Sequence, residues 1–218
     1  MNKQPEKTVG CIVMASGKGE RFGENKLLAR LAGREMLLYV IDAVRTAAFS
    51  EILVVTRHPE VREIVRDAYG PADGCPPVRC VLYPGGPQSE TVKRGLSEML
   101  SYDACLFAAG DQPLLRQESV SRMVETYRRR SAQENGPDPV CRLSFEGKPG
   151  NPVLFPARYY PRLMEIRGDR GGGQILKDGT IPVVCIEAED PMELMDVDRK
   201  EDLQRAEEYL RRGTVPRI

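Results

Sequence analysis

The segment Val9–Lys26, VGCIVMASGKGERFGENK, narrows the possible folds more than any other stretch of the chain. Its first seven residues, Val9–Ala15, form an unbroken apolar run. That is the length and character of a strand buried on both faces, a condition met in parallel sheets. The run breaks directly into Ser16-Gly17-Lys18-Gly19-Glu20-Arg21-Phe22-Gly23, where three glycines let the main chain turn sharply and approach a ligand. Arg21 and Lys26 add two cations, so a strand, a glycine-rich loop and positive charge together suit a polyphosphate. Two familiar loops fail here. The P-loop needs Ser or Thr after its lysine, and Leu27 follows Lys26. The dinucleotide fingerprint needs a third glycine where Phe22 stands. What is left is Gly17-x3-Arg21-x-Gly23-x2-Lys26, and for the loop alone an ordinary strand-to-helix turn with solvated charges is the competing account.

The theme repeats downstream. Helical spacing predicts helices over Met36–Ala48, Pro59–Tyr69, Glu90–Leu100 and Gln117–Arg130. Between them, apolar runs predict strands over Glu51–Thr56, Arg79–Tyr83 and Ala104–Ala109. Such alternation with short connections indicates an α/β fold: one three-layer, doubly wound, mostly parallel sheet of Rossmann-like type with right-handed crossovers. After a polar loop, Ser131–Asp138, the pattern becomes irregular. Strand-like Val140–Phe145 and Val153–Phe155 flank a turn at Gly147–Asn151, and short helical pieces run through Lys177. A strand over Ile181–Glu187 and a helix over Arg199–Leu210 close the chain. The irregular region reads as an insertion over the carboxyl edge of the sheet, where open α/β folds bind ligands.

With 218 residues, 41% of them hydrophobic, one domain with a sizeable core is expected. Lys plus Arg and Asp plus Glu both number 32, so no broad basic field exists and nucleic acid is not expected as a partner. No apolar run approaches the roughly 20 residues of a membrane span. The opening MNKQPEKT lacks the apolar stretch of a secretory signal, so a cytoplasmic location is expected. The six cysteines include no C-x-x-C pair and lie partly in apolar runs, which favours buried thiols over a disulfide frame or zinc site.

Chemistry should gather at the same edge. Asp111 follows the strand Ala104–Ala109, on the rim that carries the first loop, and a carboxylate there suits Mg2+ bridging phosphates. A turn-forming or capping aspartate is the alternative. Asp196 and Asp198 alternate along an extended segment and share a side. Asp198 is taken as the second metal ligand, against the alternative that it caps the helix Arg199–Leu210. Asp169, in Gly168-Asp169-Arg170-Gly171, can open a short helix whose N–H groups receive a phosphate, or simply cap it. His58, the one histidine, reads as a loop residue, because a phosphate nucleophile needs no proton removed.

Taken in order, MASGKGERFGENK, AAGDQPLL, KPGNPVLF, RGDRGGGQILKD and MDVDRKEDL resemble the molybdenum cofactor cytidylyltransferase family, over about Val9 to Leu210. The resemblance implies Mg2+-dependent transfer of CMP from CTP to the phosphate of molybdopterin, with pyrophosphate leaving. A molybdenum hydroxylase is a candidate recipient of the product. It implies a nucleotide-binding half (9–130), an acceptor-binding half (131–198) and a closing helix (199–210). Lys26, Arg21 and Asp111 take the catalytic roles. Ala15, Ser16, Gly17, Gly19, Arg21, Lys26, Gly86, Thr91 and Gly110 surround the nucleotide. Asn151, Asp169 and Gly171 meet the acceptor, and Asp111 with Asp198 holds the metal. The chain departs from the family pattern at Ser16, at Phe22 and at Asn151, where Ala, Met and His are usual. Guanylyl transfer from GTP, transfer to a sugar or polyol phosphate, and a non-catalytic cofactor carrier are the alternatives.

Overall fold

The first strand, β1 (Val9–Ala15), does what its composition requires and lies in the interior of a seven-stranded sheet. The structure, a computed structural model, describes residues 6–17, 19, 22, 25–46, 48–70, 75–133 and 138–213. A small hairpin, β2 (Arg30–Leu31) and β3 (Arg34–Glu35), leads into α1 (Met36–Val44). Then come β4 (Glu51–Thr56), α2 (Pro59–Ala68), β5 (Val78–Leu82), α3 (Gln88–Ser97), β6 (Ala104–Ala109) and α4 (Gln117–Ser131). The chain continues with β7 (Val140–Phe145), β8 (Lys148–Pro156), α5 (Tyr160–Met164), β9 (Val183–Glu187) and α6 (Lys200–Arg211).

The strand order is β5-β4-β1-β6-β8-β7-β9. The first four run parallel, β8 is antiparallel to both β6 and β7, and β9 is parallel to β7. From β1 the chain winds outward through β4 and β5, then returns to place β6 on the other side of β1. The loops leaving β1 and β6 therefore part at their carboxyl ends, the crevice where open α/β sheets take ligands. Strand alternation supplies two cores. Cys11, Val13 and Ala15 face a cluster shared with α1, α2, α4 and α6. Ile12 and its neighbours Leu53, Val55, Cys105 and Phe107 face a second cluster with α3 and α5.

The irregular region both extends the sheet and reaches its carboxyl edge. The strands β7 and β8 join through a turn at Glu146–Gly147, with φ of 49° and 72°, rather than over the expected Gly147–Asn151. The chain is extended already from Lys148, although Pro149, Gly150 and Pro152 lower strand propensity and hide it in the sequence. The helix α3 starts two residues before its expected beginning because Asp169 Oδ1 accepts from the Gln88 N–H at 3.2 Å. This cap comes from 81 residues away and leaves no local signal. Of the cysteines, Cys11, Cys105 and Cys141 are buried and Cys75 and Cys185 are exposed. Among the described residues no helix is long and apolar enough to cross a membrane.

The seat of α3 depends on Gly95. A Cβ there would lie 2.7 Å from Ile12 Cγ2 and 3.0 Å from Val55 Cγ2, on the faces of two central strands. Gly95→Ala is expected to lose about 1–3 kcal/mol to overpacking, offset only partly by ~1 kcal/mol of helix propensity. Urea unfolding should show a lower midpoint for Gly95→Ala and an unchanged one for Gly70→Ala, where a Cβ meets nothing within 4 Å.

Candidate active site at the carboxyl edge

Short tethers between neighbouring strands build the rim. Thr56 Oγ1 donates to the Ala15 carbonyl at 2.7 Å, and the Gly110 N–H donates to the Met14 carbonyl at 3.0 Å. A Cβ at Gly110 would stand 2.9 Å from that same oxygen, so only glycine lets the loop after β6 leave β1 this closely. Ser16 Oγ donates to the Val55 carbonyl at 2.9 Å, and His58 Nε2 lies 3.1 Å from the Gly17 carbonyl. His58 is thus the residue preceding α2 and a strut for the glycine loop.

The chemical centre is an ion triad. Lys26 opens a short 3-10 turn, Lys26–Leu28, whose Asn25 side chain accepts from the Leu27 N–H. Its Nζ lies 2.7 Å from Asp111 Oδ2 and 2.7 Å from Asp198 Oδ1. The loop reading suggests a solvated lysine, but the residue is only 7% exposed. Burial works against its charge, yet the two carboxylates override that and hold the ammonium above its ordinary pKa.

Asp198 comes to Asp111 because the backbone is stitched there. The Val197 N–H donates to the Asp111 carbonyl at 2.9 Å, and Gln112 Nε2 donates to the Leu194 carbonyl at 3.3 Å. Buried Glu193 accepts from the N–H groups of Glu189 and Arg116 and braces the same segment. Asp198 does not cap α6. Asp202 Oδ2 takes the N–H groups of Asp198 and Arg199, leaving the Asp198 carboxylate to face Lys26. The neighbouring Asp196 carboxyl is pushed up to about 6, first by desolvation and then by the charge of Asp111.

Two carboxylate oxygens converging on one cationic atom are a donor set that fits a hard divalent ion. Among the described residues no group of three or more His, Cys, Asp or Glu could hold a metal. A metal between Asp111 and Asp198 would therefore complete its shell with substrate phosphates and water, as Mg2+ commonly does.

A cleft of about 870 Å3 opens over the triad. Of the residues expected around a nucleotide, Ser16, Gly17, Gly19, Lys26, Gly86 and Thr91 line it, and Asp111 and Asp198 reach it. Ala15 and Gly110 do not; they shape the floor from beneath through the tethers above. Arg21 lies outside the described residues. Thr91 Oγ1 is 2.6 Å from Tyr83 Oη, which fixes its rotamer. The sequence reading missed Arg57 and Gln88, which also line the cleft. The Arg57 guanidinium lies against Gly85 so closely that a Cβ there would stand 2.6 Å away, and its buried Nη1 has no hydrogen-bond partner. Its signal was available: a cation directly after the carboxyl end of β4, on the same rim as Ser16.

A second cavity, about 620 Å3, adjoins the first and shares Met14, Gln88 and Asp169 with it. Asn151, Asp169 and Gly171, the three residues expected near an acceptor, all line it. Asp169 opens no helix of its own. The following 3-10 turn starts at Gly172 after Gly171, and the Asp169 carboxylate instead caps α3.

Comparison with known proteins agrees with this geometry. Residues 11–183 match the MobA-like NTP transferase domain. Purine catabolism protein PucB of Bacillus subtilis is 26% identical over 203 residues, covering 88% of this chain and 92% of that protein. A protein of Pyrococcus furiosus named probable molybdenum cofactor guanylyltransferase is 25% identical over 214 residues, covering 91% of this chain and 96% of its own length. Rv0371c of Mycobacterium tuberculosis shares the fold with a TM-score of 0.73 at 21% identity, over 93% of this chain and 99% of that one. The same protein has also been solved in complex with manganese. The chain belongs to the MobA-like NTP transferase family and is a nucleotidyltransferase.

Proposed function

We propose that this nucleotidyltransferase moves CMP from CTP to the phosphate of molybdopterin and releases pyrophosphate. The observation that carries the reading is the convergence of Lys26, Asp111 and Asp198 at the mouth of a cleft large enough for a nucleoside triphosphate. The ordered motifs from Val9 to Leu210 support the cofactor and the base, and the name of the Pyrococcus relative supports a molybdenum cofactor acceptor. That name also favours a second reading, guanylyl transfer from GTP to the same acceptor.

The chain's own groups have few tasks. An oxygen of the acceptor phosphate forms a bond to the α-phosphorus of the nucleotide, and the bond from that phosphorus to the departing pyrophosphate breaks. The attacking phosphate is already an anion near neutral pH, so no general base is required. Lys26 turns its ammonium from the carboxylates to the triphosphate, where negative charge develops. The unpartnered Nη1 of Arg57 offers a further donor from the opposite wall. Mg2+ held by Asp111 and Asp198 would offset charge on the transferring group and the leaving pyrophosphate. The manganese complex of Rv0371c supports a divalent ion in this role.

Lys26→Met is expected to lower kcat by ~10²–10³. It should also lower stability at neutral pH, because Asp111 and Asp198 then face each other without a cation. A raised lysine pKa contributes stability that is present below the ordinary lysine range and lost as pH rises through the folded value. The stability gap between wild type and Lys26→Met should therefore close in alkaline urea titrations. Wild-type turnover in Lys26→Met would remove Lys26 from the mechanism.

For Asp198→Asn and Asp111→Asn, metal-dependent pyrophosphate release should fall far more than the unfolding midpoint. Asp202→Ala, which removes the cap of α6, should do the reverse, losing about 1 kcal/mol of stability and keeping activity. Near-normal activity in both asparagine variants would place the metal elsewhere.

The base is decided by thermal melting. A mismatched base leaves buried donors or acceptors unpaired, which corresponds to a ~5- to 150-fold difference in affinity. Saturating CTP with Mg2+ should raise the Tm more than equal GTP, because a ligand bound only by the folded state stabilises it by mass action. A larger shift with GTP, together with GTP-dependent pyrophosphate release, would establish the guanylyl reading instead.

A further inference from the structure

Arg142 lines the second cavity. It lies on β7 between β8 and β9, opposite Val153 and Cys185. Its neighbours Cys141 and Leu143 face the α1, α2, α4 and α6 core, so alternation sends Arg142 to the other face. There it enters the cavity floored by Phe107, Val153 and Phe155. Nε donates to the Gly150 carbonyl at 2.8 Å, which orients the guanidinium. Nη2 points toward the Gly171–Gly173 turn, lying 3.9 Å from where a Cβ of Gly173 would be. No carboxylate pairs with it among the described residues, and desolvation holds its pKa below the usual arginine value. A half-buried, unpaired guanidinium over aromatic and aliphatic side chains costs free energy that a structural role does not return.

Two further observations point to a ligand here. Gln174 Oε1, in the same cavity wall, is buried and has no hydrogen-bond partner. The turn opposite Arg142 is built to approach the floor: a Cβ on Gly172 would lie 3.1 Å from both Leu163 Cδ2 and Phe155 Cε2. The result is a slot with an apolar floor, a spare acceptor on Gln174 and three cations in its lining, Arg142, Arg170 and Lys177, opening through Met14, Gln88 and Asp169 toward the nucleotide cleft.

We infer that Arg142 is an acceptor-binding residue: it takes an anionic group of the acceptor, while the acceptor's apolar ring system lies on Phe107 and Phe155 and its donors meet Gln174. The inference rests on the transfer reaction proposed above and assigns the second cavity to the acceptor through the one lining guanidinium that the Gly150 carbonyl orients toward the Gly171–Gly173 turn, with Arg170 and Lys177 also in the lining. Arg142 touches the bound acceptor and takes no part in bond making. Its guanidinium sets which acceptors are held and in what register they meet the α-phosphorus.

The test uses the full chain and three substitutions. Arg142→Gln keeps a donor for the Gly150 carbonyl but removes the charge, Arg142→Lys keeps the charge, and Arg142→Ala removes both. With molybdopterin as acceptor, Arg142→Gln and Arg142→Ala should raise the acceptor KM roughly 10- to 150-fold, the range for a lost hydrogen-bonded charge. The KM for CTP should stay within about two-fold, since the nucleotide cleft is untouched, and Arg142→Lys should recover part of the loss. A second readout is independent of molybdopterin. With a non-hydrolysable CTP analogue and Mg2+ filling the first cleft, inorganic phosphate should raise the Tm of wild type and of Arg142→Lys but not of Arg142→Gln. If the analogue fails to raise the wild-type Tm, the nucleotide reading itself fails. If the analogue binds and phosphate acts equally on wild type and Arg142→Gln, or on neither, Arg142 holds Gly150 in place and the inference is overturned.

Discussion

Two ionised carboxylates side by side at the edge of a sheet repel each other, and Lys26 stands between Asp111 and Asp198 and offsets that repulsion. The segments carrying Lys26, Asp111 and Asp198 come from three distant parts of the chain, with 85 and 172 residues separating the paired groups. A backbone hydrogen bond from Val197 to the Asp111 carbonyl holds Asp198 beside Asp111. The ammonium then satisfies both anions. The arrangement leaves the two carboxylates oriented toward one point at the mouth of the cleft.

The cleft around that triad is a consequence of close packing at the centre of the sheet. Gly110 lets the loop after β6 pass over the Met14 carbonyl, and Gly95 lets α3 settle onto Ile12 and Val55. The start of α3 is then held at the cleft rim, where Gln88 and Thr91 line the wall. The segment from Gly168 to Asp169 is hydrogen-bonded to this start, with the Ser89 N–H donating to the Gly168 carbonyl at 3.2 Å. One helix end therefore registers the two cavities against each other.

Much of this was legible before any coordinates. The strands Val9–Ala15, Glu51–Thr56, Ala104–Ala109 and Val140–Phe145 read true to the residue because short apolar runs, continuous in the first three and alternating in VCRLSF, are bounded by polar turns. The position of Asp111 on the rim followed from the same pattern, since it stands just beyond a parallel strand, and Lys26 reaches that rim from the loop after β1. The extended chain from Lys148 to Asn151 was not legible, because its prolines and glycine mimic a turn while the neighbouring strand overrides them. Arg142 went unnoticed because a lone arginine within a strand carries no local mark of what it faces, whereas Arg57 stood where the rim pattern could have marked it, directly after β4.

By itself, the sequence determined the α/β class, the mostly parallel sheet and the edge at which chemistry gathers. Each of these depends on periodicity and punctuation within about ten residues. Only the tertiary structure decided the rest: that Asp198 turns to Lys26 while Asp202 caps α6, that Asp169 caps α3, and that Arg142 stands unpaired over Phe155. The physical reason is that a side chain's surroundings are set by what folding brings near it: Lys26 reaches Asp198 from 172 residues away, Gln88 reaches Asp169 from 81, and distant segments wall the cavity that Arg142 enters.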